Sequence, residues 1–295
     1  MVKELGICHL CNTESVLEES HVIPSFVYKW IKGSSGNGYL RFGMVPNRRV
    51  QDGLKFYWLC GECEDKLNEW ETLFAKEIFH PFNNGTKDYA EYGPWFLKFC
   101  VSVSWRVLNF FLEEADLRHF PTNLQKAARN THLVWKEFLL NKLPHPCQNQ
   151  QHFLPLDVIE SFTHSGMPPN INRYILRTVD IDAVFGGENA FIYSKMGRFL
   201  IIGFLNIQRP RDWQGTLVHV RNGIIMPQNY RLPAQFGDYF LSKAKKFAKV
   251  HSNISERQDK IINESFRSNM DRLANSETFT AMEHDIRLFG DKAFE

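Results

Sequence analysis

The reading of this chain turns on CHLCNTESVLEESHVIPSF, residues 8–26, and on WLCGEC, residues 58–63. Cys8 and Cys11 are spaced Cys-x-x-Cys, and Cys60 and Cys63 repeat the spacing after a long interval. A Cys-x-x-Cys turn can aim two thiolates at one ion. Two such knuckles complete a tetrahedral four-sulfur site, with zinc–sulfur bonds of about 2.3 Å. The long interval between them costs little, because closure entropy grows slowly with loop length. We therefore read Cys8, Cys11, Cys60 and Cys63 as ligands of one structural Zn2+, whose binding would supply much of the folding free energy of its module. His9 lies inside the first knuckle, but the four cysteines already complete the set. Cys100 and Cys147 lack a partner at ligand spacing, and Cys100 sits in an apolar stretch that reads as core.

The chain has 295 residues, of which 43% are hydrophobic and 25 are phenylalanine. A sizeable core follows, and wholesale disorder is excluded. The formal net charge of +2 means that any nucleic-acid surface must be a local patch. The start, MVKELGICHLC, lacks the basic and apolar regions of a signal peptide. WFLKFCVSVSWRVLNFFL (95–112) carries Lys98 and Arg106 and reads as a buried core helix rather than a membrane span. A cytoplasmic protein without a membrane partner is expected, where reduced thiols suit a metal better than a disulfide. No Walker A, Rossmann glycine or Gly-x-Ser-x-Gly pattern is present, so ATP hydrolysis and serine hydrolase chemistry are unsupported.

An α+β fold is expected, in three parts. Residues 1–82 form the zinc-binding module, 83–150 a linker (NNGTKDYAEYGP, 83–94) and helical segment, and 151–295 an antiparallel sheet with C-terminal helices. Helices are expected over about 94–115 and 121–142, the second capped by Thr122. RYILRTVDIDAVF (173–185), NAFIYSK (189–195), GRFLIIGFL (197–205) and GTLVHVRNGII (215–225) read as strands of a meander. FLIIGFL lacks alternation and should be the central strand, covered on both faces. Helices return over about 234–250 and 255–267, and the tail from Asn275 reads as a weak amphipathic segment.

Between the knuckles stands His21, in ESHVIP. CHLC, then ESHVIP, then WLCGEC leading into EDKLNEWETLFAKEIF, resembles the HNH endonucleases of the ββα-metal type over residues 8–75. That resemblance implies a nuclease in which His21 is the general base and a divalent metal stabilises the leaving phosphate oxygen; a structural histidine hydrogen-bonded inside the zinc module is the alternative, and a zinc ligand the third. Three positions depart from the family pattern. Ser20 precedes the histidine, Lys55 falls near the family's middle asparagine, and Glu64 stands where a final histidine is usual. The resemblance makes Glu64 an oxygen ligand for Mg2+ or Mn2+, with Glu19, Asp52 or Asp65 as a second oxygen. A wider layout of SHxxP, LCxxCE, SVSWR and GTxVHVRxG is similar to bacterial HNH-like proteins of mobile or anti-phage islands.

The interval itself is basic. Lys29, Lys32, Arg41, Arg48, Arg49 and Lys55 face a single acid, Asp52, with Trp30, Tyr39 and Phe42 interleaved. Such a mixture can follow phosphates and stack bases, so Arg41, Arg48, Arg49 and Lys55 are read as candidate nucleic-acid contacts; a solvated basic loop is the alternative. Lys243, Lys245, Lys246 and Lys249 read as a solvated helix face. Asp180 and Asp182 share a strand face, with Glu188 soon after, and a solvent-facing strand with polar alternation is favoured over a metal site. His219 reads as an ordinary strand position. A buried Arg106 would need a carboxylate, Glu71 or Glu77. Two functions remain open: a metal-dependent nuclease, or a zinc-binding adaptor that has lost the catalytic metal and binds a partner protein, a nucleic acid or a nucleotide signal.

Overall fold

The structure, a computed structural model, describes residues 4–43, 45–114, 121–186 and 189–294, with His251 and Ser252 as backbone only. β1 (Glu4–Ile7) and β2 (Glu14–His21) form an antiparallel hairpin with the first knuckle at its turn. α1 (Ser25–Gly33) and a small hairpin, β3 (Leu40–Arg41) with β4 (Arg49–Val50), fill the interval. β5 (Lys55–Cys60) then returns beside β2, giving the order β1-β2-β5, and runs directly into α2 (Gly61–Phe74). A π-helical turn, Ala75–Phe79, and the short α3 (His80–Asn83) continue that helix.

β6 (Ala90–Tyr92) follows, and then two helices, α4 (Trp95–Glu114) and α5 (Thr122–Leu139). The larger sheet has the order β7-β10-β9-β8, all antiparallel, from β7 (Gln151–Pro155), β8 (Val179–Gly186), β9 (Asn189–Met196) and β10 (Phe199–Ile207). α6 (Ile171–Arg177) precedes β8. β11 (Gly223–Ile225) pairs with β6, and α7 (Ala234–Ser252), α8 (Glu256–Ser268), α9 (Met270–Ala274) and α10 (Glu277–Phe289) complete the chain. The fold is mixed α and β, with antiparallel sheets, C-terminal helices and a four-cysteine group near the N-terminus.

The phenylalanines explain how the parts join. Phe74 of α2 stacks on Phe99 of α4 at 4.1 Å and meets Phe153 of β7 and Phe199 of β10 edge-on. One hydrophobic cluster therefore runs from Cys8 and Leu59 through Trp105 of α4 to Ile201 of the large sheet. α4 is long and apolar enough to cross a membrane by length and composition, yet 72% of that apolar stretch is buried inside the fold. Gly203 on β10 permits this packing: a Cβ there would lie 2.6 Å from Ser104 Oγ. The opposite face of the sheet is covered by Trp213 and by Phe236 of α7. β10 is thus central and buried on both sides, as its unbroken apolar run requires.

Several local expectations need correction. RYILR is helix α6, because Ile171, Tyr174 and Ile175 bury one helical face. A carboxylate from α10 also holds its start: Asp285 accepts the backbone N–H groups of Asn172 (2.7 Å) and Arg173 (3.2 Å). The tail is therefore a structural support. QHFLP, not read as a strand, is β7. Of residues 215–225 only β11 is a strand; the rest joins the edge of β7 through a single bridge at Leu217. Thr122 makes no capping hydrogen bond, because Pro121 occupies the cap position. Part of the segment read as a linker is built in, with Ala90 and Tyr92 buried in β6.

His152 is expected to make the fold acid-sensitive. It is buried on β7, bonded through Nδ1 to Thr216 Oγ1 at 2.7 Å and packed against Phe204 and Trp213. Burial pulls its pKa from 6.5 down to about 3. The unfolded chain then binds a proton that the folded chain does not, so stability falls as pH drops below the ordinary histidine value. At about 1.4 kcal/mol per pH unit, ~2 kcal/mol is expected to be lost from this residue by about pH 5. His132, pulled down to about 4 by burial and then by Lys136, acts in the same direction. Urea denaturation at pH 7 and pH 5 measures the loss, and His152→Gln should flatten it.

Candidate metal centre and the adjoining His21 site

The four thiols converge because two tight turns face each other. In the first, the Cys8 N–H donates to Thr13 O (2.9 Å) and the Asn12 N–H to Cys8 O (2.9 Å). Asn12 adopts φ 64°, a left-handed conformation that asparagine tolerates better than most residues. In the second, Cys60 ends β5 and stands at the start of α2, with Cys63 in the first turn, where the helix dipole favours a thiolate. All four sulfurs lie within 4.8 Å of one another, and Cys11 Sγ is 3.8 Å from Cys60 Sγ. A tetrahedron with ~2.3 Å bonds has a sulfur–sulfur edge of about 3.8 Å. The group is thus compatible with a structural zinc ion.

The surroundings suit a concentration of negative charge. Lys136 of α5 donates its Nζ to His9 O and to Asn12 Oδ1, both at 2.6 Å. Burial lowers its pKa while Cys8 and Cys11 raise it again. His9 faces away from the ligand role. Its ring stacks on Trp58, and its Nδ1 meets Asn109 (3.1 Å) and Glu113 (3.2 Å).

The second site begins one residue beyond Cys63. Glu64 accepts a hydrogen bond from the buried Ser20 hydroxyl, 2.7 Å from its Oε2. Ser20 and His21 end β2, so the strand end and the first turn of α2 meet there. The Asp52 carboxylate takes the His21 Nε2 at 2.8 Å. Burial pushes the Asp52 pKa up, but the His21 and Gly53 hydrogen bonds outweigh it and the net shift is down. From α4, the buried Arg106 guanidinium donates to His21 O (3.0 Å) and lies 2.6 Å from Glu71 Oε1 on α2. Burial raises the Glu71 pKa, with Arg106 opposing.

No family model matches the chain, and neither the curated proteins nor the solved structures contain a match.

The other residues singled out in the sequence are dispersed. Lys55 lies opposite His21 in the β2–β5 pairing, but its Nζ is 2.7 Å from Glu19 Oε2, so the two satisfy each other. Asp65 is exposed. Arg41 and Arg49 pair across β3 and β4. Arg41 donates to Pro46 O and to Gln258 of α8, while Arg49 lies over the Tyr39 ring at 3.9 Å. Arg48 is exposed. Asp180 and Asp182 lie on the outer strand β8 but do not face open solvent: Lys243 of α7 bridges them at 2.9 and 3.2 Å, and Tyr174 and Tyr239 donate to them. Lys243 accordingly leaves the solvated face, on which Lys245 and Lys246 remain. Glu188 lies outside the described residues. His219 is exposed, its N–H donating to Tyr92 Oη. Sequence reasoning missed Asp52 as the group that orients His21, and Lys136 beside the knuckle. The lone arginine in the apolar run SVSWR was the one available signal for the Glu71 pair.

Proposed function

We propose that this chain is a zinc-stabilised, HNH-like phosphodiesterase that cuts DNA or RNA with a divalent metal. The observation that carries the reading is the Asp52-bound His21 at the end of β2, next to Ser20, which reaches Glu64 at the start of α2. With the Nε2 proton directed at Asp52, the lone pair of His21 resides on Nδ1. That nitrogen can take a proton from water, while Asp52 stabilises the imidazolium. A bound Mg2+ or Mn2+ would stabilise the leaving phosphate oxygen, with Glu64 as its carboxylate. The cysteine group, as a zinc site, would fix Glu64 through its neighbour Cys63. The wider layout, similar to bacterial proteins of mobile or anti-phage islands, makes anti-phage defence the setting we propose for it.

The test is plasmid, single-stranded DNA and RNA incubated with Mg2+ or Mn2+. His21→Ala and Glu64→Ala should each lower the cleavage rate by about 10²-fold or more, with zinc content unchanged. Equal cleavage by wild type and His21→Ala would end the reading. A second reading, the adaptor, draws support from internal satisfaction: Glu64 already holds Ser20, and Lys55 already holds Glu19. It gains if no substrate is cut and a protein partner co-purifies stoichiometrically.

A further inference from the structure

The face of α2 that begins at Glu64 continues into an open cleft. Residues 64, 68, 71 and 75 follow helical spacing and share that face. Asn68, Glu71 and Ala75 line a cleft of about 540 Å3 between α1, α2 and the π-helical turn. π-helical turns recur at functional sites, where they displace side chains from the regular helical path. The cleft is also tied to His21. Glu71 forms part of its wall, and Arg106 joins Glu71 to the His21 carbonyl.

The chemistry of the walls selects a ligand. Lys29 and Lys76 line the cleft with His80, whose pKa burial lowers, against Glu71 and against Glu77, which lies 3.9 Å from Lys76 Nζ. Glu71 is already offset by Arg106 at 2.6 Å, so the cleft presents net positive charge. Phe26 also lines it, its ring held edge-on by Phe79 (5.0 Å) and His80 (6.2 Å). A fixed aromatic ring beside two lysines is the combination that stacks a base and holds a phosphate without reading sequence. The volume falls within the range of small-ligand sites, roughly 300–1,000 Å3. A single splayed nucleotide fits such a space.

We propose that this cleft seats one unstacked nucleotide of the strand to be cut, with its phosphate on Lys29 and Lys76 and its base against Phe26. The substrate class is then single-stranded or locally unpaired nucleic acid. The inference rests on the phosphodiesterase reading for its role, and it moves the main nucleic-acid contact from the β3–β4 hairpin to the α1–α2 cleft.

The experiment is fluorescence anisotropy with labelled single-stranded DNA and RNA pentanucleotides, without added divalent metal. Separate DNA and RNA arms show which sugar is preferred. Lys29→Glu/Lys76→Glu should weaken binding at least tenfold, and Phe26→Ala by about 5-fold or more. Lys260→Glu, on exposed α8, is the charge control. Zinc content and circular dichroism establish that each variant is folded, and Lys29→Gln/Lys76→Gln repeats the test with a smaller change. An unlabelled duplex should compete at least tenfold more weakly than the single strand. Binding within twofold of wild type in both double variants overturns the seat, as does equal competition by duplex. So does a loss in Arg48→Glu that the cleft variants do not match. The two proposals fail separately. Cleavage that depends on His21 with binding unmoved by the lysine changes removes the seat alone. Binding lost in the lysine variants, with cleavage indifferent to His21→Ala, removes the phosphodiesterase reading and leaves a nucleotide seat.

Discussion

Cys60→Ser is expected to abolish cooperative folding of the whole chain, not merely to loosen its N-terminal corner. Structural zinc sites contribute about 10–16 kcal/mol of apparent binding free energy to folding. A domain of ordinary stability has only about 5–15 kcal/mol in total. The loss also propagates, because Cys8, Cys60 and Cys63 belong to the same hydrophobic cluster as Leu67, Phe74 and Trp105. Lys136, which reaches into the first knuckle, would lose the negative charge that offsets its burial. Metal analysis of the wild type should find one zinc per chain. Thermal melts followed by circular dichroism should show one transition for wild type and none for Cys60→Ser. Cys147→Ser, at an exposed position, should melt like wild type. A zinc-free wild-type protein, or a Cys60→Ser melt within a few degrees of it, would refute the assignment.

How much of this was legible in the sequence depends on the range of the interactions involved. The knuckles are local, and Cys-x-x-Cys twice over announces itself. β9 and β10 are also local, with a Met-Gly turn between two runs of apolar and aromatic residues. RYILR misleads because its residues suit a strand and a helix equally. What decides for the helix is Asp285, more than a hundred residues on, which takes the first backbone N–H groups of α6. The same reason hides the fate of Asp180 and Asp182: two carboxylates on one strand face invite water or a metal until α7 delivers Lys243 between them. At the candidate site, the acidity of Asp52 was visible, but its pairing with His21 is made by the closure of the α1–β4 insertion. The basic run looked like one surface. The structure splits it, turning Arg41 to α8, Lys55 to Glu19 and Lys29 to the cleft.

Arg106 links stability to the candidate site, and its removal is expected to have the second-largest effect. Its side chain is 1% exposed and makes the ion pair with Glu71 and the hydrogen bond to His21 O. Arg106→Met strands a buried carboxylate and leaves a backbone carbonyl without its donor, at an expected cost of about 3–5 kcal/mol. The cost should depend on pH with a definite sign. Without the guanidinium, burial and the nearby Glu64 charge raise the Glu71 pKa further, with only His21 opposing. The folded variant then holds a proton that the unfolded chain releases above the ordinary carboxylate value, so its stability falls as pH rises past that value. Arg106→Met/Glu71→Leu removes both charges and should recover most of the loss, since an apolar pair of similar volume often replaces a buried ion pair without penalty. Denaturant titration of the wild type, both single variants and the double variant gives the coupling directly. A double variant as unstable as Arg106→Met would show that the arginine acts through His21 O or its packing, not through Glu71. If the double variant is stable but cleaves nucleic acid more slowly than wild type, Arg106 positions the His21 backbone in addition to neutralising Glu71.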